Sequence, residues 1–237
     1  MEGVAPVRGR YQGAGSTREL RWLGRANLPW KVAVVVLVVI AVLLGLGVAV
    51  LAGVDAPALD LDEEKTVPAA FSALLLLATG VVGAEAGRLA RQRDRAGLFI
   101  LAAMVVFLAV DEAFVIHERL ERLTHVQWHV LYLPVAAAVG VGWWLTLLLA
   151  RRERAGTWLL LGGAACWLAS QVLEHFSLGG DASVSYAEYL QRSMETDYRI
   201  MIVAEEALEM VGSLLFLLAF LLLVQRLLHS RRRPSPA

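Results

Sequence analysis

Residues 31–53 read KVAVVVLVVIAVLLGLGVAVLAG, and beyond Lys31 no side chain in the run can ionise or hydrogen-bond. Such a stretch has few ways to fold. Wound as a helix, about 20 apolar residues cross the roughly 30 Å hydrocarbon layer of a bilayer. Lipid offers no partner to a free N–H or C=O, so a spanning segment must satisfy its backbone internally. The run is too long for a signal-peptide core and has no small-residue cleavage site, so it reads as an uncleaved anchor. Five more segments have the same character, at 67–90, 97–117, 127–150, 155–176 and 200–228. The expectation is therefore an all-α, polytopic membrane protein: a bundle of six transmembrane helices over 31–228, between tails at 1–30 and 229–237. A hydrophobic content of 58% fits this class, since soluble domains hold about 45–50%. The lone Cys166 excludes a disulfide or a cysteine-based zinc site within the chain.

Six crossings put both termini on one side, and charge identifies that side. Of 22 Lys and Arg, only Lys65, Arg119, Arg122, Arg192 and Arg199 fall on the opposite face. Cytoplasmic loops carry the excess of Lys and Arg, so the face with the termini is expected to be cytoplasmic. Topology and anionic headgroups account for the arginine clusters, and nucleic acid is not implied. Trp30, Trp128 and Trp158 fall near segment ends, as an interfacial belt requires. Gly80, Gly83 and Gly87, with Gly140 and Gly142, suit close helix packing. In the longest connection, 177–199, Tyr186, Tyr189 and Tyr198 suggest a short interfacial helix.

The acidic face collects the remaining ionisable chemistry. Helix three ends there with Asp111, Glu112, His117 and Glu118, helix four begins with His125 and His129, and helix five ends with Glu174 and His175. Helix six begins with Glu205, Glu206 and Glu209. At the helical rise, Asp111, Glu209 and Glu174 stand about 24, 26 and 30 Å from the arginines flanking their helices. His117, His129, His175, Glu205 and Glu206 come at roughly 30–33 Å, so all share one slab. A carboxylate within the membrane is expensive and normally faces a partner or a wet cavity. Glu205, Glu206 and Glu209 share one helix face, and Asp111 shares a face with Glu118, seven residues on. His117 and Glu112 point off that line in a continuous helix. Glu118 to His125 reads as the helix end and turn.

Carboxylates and imidazoles without thiolates suit zinc, iron or manganese. The metal ligands expected are Asp111, His117, His129, Glu174, His175, Glu205, Glu206 and Glu209, with Glu112 and Glu118 left to move protons in catalysis. HERLE, 117–121, resembles the zinc protease HExxH with Glu121 in place of the second histidine, and His117 and Glu121 can still reach one ion. Carboxylates on separate helices resemble the di-iron bundles, but Glu-x-x-His occurs nowhere in the chain. Haem between His129 and His175 leaves the acids unexplained. No phosphate loop and no serine nucleophile motif is present. DExxxxHE on one helix and EExxE on another resemble a bacterial membrane family, which implies the plasma membrane. The leading expectation is a membrane metalloenzyme, hydrolytic or oxidative, acting on a lipid or lipophilic substrate that enters sideways. The alternatives are a cation- or proton-coupled transporter and a non-catalytic membrane subunit or assembly factor. Transport needs a polar route inward, for which Thr79, Glu85 and Ser213 are the candidates.

Overall fold

A computed structural model of the chain describes residues 27–61, 66–124, 126, 128–132, 134–135, 137, 139–142, 144, 154–177 and 196–232. Its elements are α-helices apart from one 3-10 turn: α1 (Leu28–Leu51), α2 (Val67–Leu89), α3 (Gln92–Phe114), α4 (Ile116–Thr124), α5 (Trp128–Leu131), α6 (Arg154–Ser177) and α7 (Thr196–Arg232). Five of them, α1, α2, α3, α6 and α7, are long and apolar enough to cross a membrane. The expected span at 127–150 is described only in part, with α5 and helical residues at several positions up to 144. Of the tails expected at 1–30 and 229–237, residues 28–30 and 229–232 are helical, within α1 and α7, and 1–26 and 233–237 lie outside the described residues.

Helix boundaries follow local chemistry. Pro29 and Pro68 stand in the first turns of α1 and α2, where a missing N–H has no cost. After α1, Gly53 takes φ +105°, a conformation open to glycine, and turns the chain away. The loop then folds back over the bundle. Leu61 is buried against Gly47 of α1 and clusters with Tyr198 and Ile202 of α7. Tyr198 therefore belongs to α7 rather than to a separate interfacial helix; Tyr186 and Tyr189 lie outside the described residues. Ala90 and Arg91 are extended and join α2 to α3 as a tight antiparallel hairpin, with Asp94 in the first turn of α3, where the helix dipole favours an acid.

The central element is α7, about 55 Å long by the helical rise. It is packed on by α1, α2 and α6, and α2 in turn carries α3. Met210, Leu214 and Val224 of α7 are fully enclosed, as is Leu98 of α3. By contrast, α1 leaves Val34, Val35, Val38 and Val42 exposed, the surface lipid requires. In lipid, apolar burial against another helix gains little, so close approach carries the association. Gly163 and Gly212 show this: a Cβ on either would stand 3.0 and 3.1 Å from the other's carbonyl oxygen. Gly80 and Gly87 likewise abut Val106 and Phe99 of α3, and Gly142 abuts Leu101. Among the described residues Gly140 makes no such contact, since a Cβ there would meet none of their atoms within 4 Å. Trp30 and Trp158, 72% and 71% exposed, mark the basic ends of α1 and α6.

Candidate functional site

The charged run after α3 does not continue the helix. At Val115 the backbone enters the left-handed region, φ 54° and ψ 49°, which is rare for a β-branched residue. A new helix, α4, starts at Ile116. The expected helix to His117 thus stops at Phe114, and its phase is broken. In a continuous helix His117 points away from the Asp111 line; the reversal at Val115 instead brings it back onto Asp111.

Asp111 is buried and organises the corner. Its Oδ1 accepts the backbone N–H of His117 at 2.9 Å and the hydroxyl of Tyr132 at 2.5 Å. Its Oδ2 lies 3.0 Å from His117 Nδ1. The first N–H groups of a helix have no partner within it, so Asp111 caps α4 from the end of α3 while fixing the imidazole. Tyr132, just after α5, closes the group, with its ring edge-on to His117 and 5.8 Å from Phe107 of α3. Asp111 therefore ties together α3, α4 and the chain after α5. Three donors surround its two oxygens, and in this arrangement it orients His117.

A second polar group lies between α2, α6 and α7. The Ser170 hydroxyl of α6 is 3.3 Å from Glu209 Oε1 of α7 and 3.0 Å from the Trp167 carbonyl. Trp167 donates its indole N–H to Ser213 Oγ at 3.3 Å. Thr79 of α2 donates to the Leu75 carbonyl, with the Ser213 carbonyl at 3.4 Å. Thr79, Ser170 and Ser213 have no exposed surface. Two of the polar positions considered for an inward route, Thr79 and Ser213, are thus joined to Glu209. The third, Glu85, sits at the basic end of α2, 3.6 Å from Arg88.

Of the other expected site residues, Glu112 on α3 and Glu205 and Glu206 on α7 are partly buried. Glu118, His129, Glu174 and His175 fall in α4, α5 and α6 by backbone, but their side chains lie outside the described residues, as does His125. Among the described residues no group of three or more His, Cys, Asp or Glu is assembled as a metal site.

Tyr132, Trp167 and Ser170 are site residues that charge-based reading passes over. Their signal is a polar group on an aromatic or small side chain inside an apolar run, at the depth of the acids. Ser170 stands one turn before Glu174, and Tyr132 just after His129.

A family model described as a domain of unknown function (DUF8692) matches residues 30–224. No curated protein and no solved structure matches the chain.

Proposed function

Because the chain belongs to the DUF8692 family of domains of unknown function, we propose its role from the site itself: a multi-pass membrane protein whose polar cluster on the acidic face binds a divalent metal, zinc, iron or manganese. The observation that carries this reading is the contact between Asp111 Oδ2 and His117 Nδ1 at 3.0 Å. A metal-bound histidine almost always gives its second ring N–H to a carboxylate or carbonyl, which fixes the tautomer and raises ligand basicity. Nδ1–H on Asp111 leaves the lone pair on Nε2, the atom a metal needs. Asp111 is then the positioning residue and His117 a ligand, joined by His129, Glu174, His175, Glu205, Glu206 and Glu209. Glu112 and Glu118 are assigned as proton carriers. A metal there would polarise water or a substrate oxygen, and the depth of the cluster favours a lipophilic substrate. The distribution of Lys and Arg supports a cytoplasmic location for both termini, and the proposed setting is a bacterial plasma membrane.

The test is elemental analysis of the purified protein after loading with zinc, iron or manganese and removal of free ion. The reading expects close to one bound equivalent in the wild type and a large loss in His117→Ala and His129→Ala. A protein that holds none of the three metals refutes it.

A second reading, cation- or proton-coupled transport, draws on the hydrogen-bonded group running from Glu209 through Ser170, Trp167 and Ser213 to Thr79. It expects ion uptake into proteoliposomes that falls in Glu209→Gln. Uptake equal to that of empty vesicles excludes it.

A further inference from the structure

The chain that leaves α1 turns back into the bundle. Gly53 donates its N–H to the Val50 carbonyl at 2.8 Å and Val54 to the Ala49 carbonyl at 3.1 Å, the pair of bonds by which a left-handed glycine ends a helix. The 3-10 turn Pro57–Leu59 follows. Leu61 then enters between α1 and α7, against Gly47, Tyr198 and Ile202. Gly47 stands one turn before Leu51, the last residue of α1, so Leu61 reaches about 6 Å inward of that helix end. Irregular backbone at membrane depth is tolerated where protein covers it or where it lines a wet cavity.

This insertion has the form of a latch. Leu61 is the one fully buried residue in 52–61, where Val54, Asp55, Pro57 and Ala58 are all exposed. A segment held by a single buried side chain opens at low local free energy. The socket also depends on the absence of a side chain on α1, since a Cβ on Gly47 would overlap Leu61, 2.5 Å from its Cδ1 and 2.9 Å from its Cδ2. The seat lies one turn from the acids. Glu205, Glu206 and Glu209 follow Ile202 by three, four and seven residues, so all four share one face of α7. Tyr198, one turn toward the acidic end, lies on the same face. Leu61, Tyr198 and Ile202 thus form an apolar plug at the acidic end of the face that carries the three carboxylates, each of them partly buried.

We propose that residues 54–61 form a gate at the acidic end of the bundle, with Leu61 as its latch, and that water and aqueous cations reach Glu205, Glu206 and Glu209 when Leu61 leaves Gly47. The gate rests on the metal reading for the identity of what passes. Its opening is read with a hydrophilic probe and no metal, so the two can fail separately.

The test uses the full chain in lipid nanodiscs, carrying Cys166→Ala and Glu206→Cys as a reporter thiol, labelled with a charged, membrane-impermeant maleimide. The reporter is expected to react far more slowly than Asp55→Cys in the same background. Gly47→Ala, whose added methyl displaces Leu61, and Leu61→Ala are each expected to speed the reporter about tenfold or more, because labelling follows the population of the open form. Gly45→Ala, on the same helix with nothing among the described residues within 4 Å, should leave the rate unchanged. The thermal unfolding midpoint shows that each variant is folded, and Gly47→Ala, a change of one methyl group, decides the matter if Leu61→Ala is not. Three outcomes overturn the proposal: a reporter as reactive as Asp55→Cys without any further change, an unaltered rate in Gly47→Ala, or the same rise in Gly45→Ala as in Gly47→Ala.

Discussion

Replacing Asp111 by Ala removes one acceptor from three donors. The His117 amide in the first turn of α4 and the Tyr132 hydroxyl both lose their partner, at 2.9 and 2.5 Å, and the His117 ring loses its anchor at 3.0 Å. A buried donor left unsatisfied costs about 1–3 kcal/mol, so the two donors together reach about 6 kcal/mol at the upper end. Within membranes, hydrogen-bond contributions average closer to about 0.6 kcal/mol because the unfolded reference state finds other partners; three such bonds set a floor near 2 kcal/mol. Asp111→Ala is therefore expected to destabilise by about 2–6 kcal/mol. Asp111→Asn keeps one oxygen for the amide and the hydroxyl and should cost roughly half as much, while Tyr132→Phe, which removes a single donor, should cost about 1 kcal/mol. Reversible unfolding in mixed micelles gives the order, and hydrogen exchange over 115–120 gives the location. The His117 amide should exchange much faster in Asp111→Ala than in Tyr132→Phe. A loss under about 0.5 kcal/mol, within the range of an ordinary surface substitution, together with unchanged exchange at His117, would refute the corner.

Gly212→Leu should force α6 off α7, because its Cβ would stand 2.6 Å from Trp167 Cδ1 and 3.1 Å from the Gly163 carbonyl; overpacking of this kind costs about 1–3 kcal/mol, while Gly140→Leu, with nothing among the described residues within 4 Å, should be close to neutral in the same unfolding assay. Leu61→Ala should loosen the loop seated on Gly47, Tyr198 and Ile202, costing about 2–3 kcal/mol and raising proteolytic cleavage between α1 and α2. Ser170→Ala removes the hydroxyl beside Glu209 and should lower stability by about 1 kcal/mol, read from the unfolding midpoint.

Much of this architecture is legible in the sequence because a membrane simplifies the folding problem. A run such as 31–53 has one solution, and the segments at 67–90, 155–176 and 200–228 all reappear as helices of closely similar extent. Asp111 is legible too: a carboxylate at that depth needs a partner, and it has three. What the sequence hides is the partner's identity. Helical phase separates His117 from Asp111, and nothing in AFVIH announces a left-handed residue, since Val is among the least suited to that conformation. The break at Val115 is a tertiary outcome, stabilised by the amide and imidazole it delivers to Asp111. Tyr132 and Ser170 escape for a different reason. Their polar atoms sit on side chains common in apolar runs, and only the pairing of distant helices gives them meaning.

The proposed metal site depends on Asp111 holding His117 so that Nε2 can bind the ion. X-ray absorption at the edge of the bound metal tests it most directly, on wild type and His117→Ala loaded identically. Imidazole and oxygen scatterers are expected in the wild type, with one fewer imidazole, or no bound metal, in His117→Ala. A wild-type spectrum without imidazole, or one identical to that of His117→Ala, would contradict it.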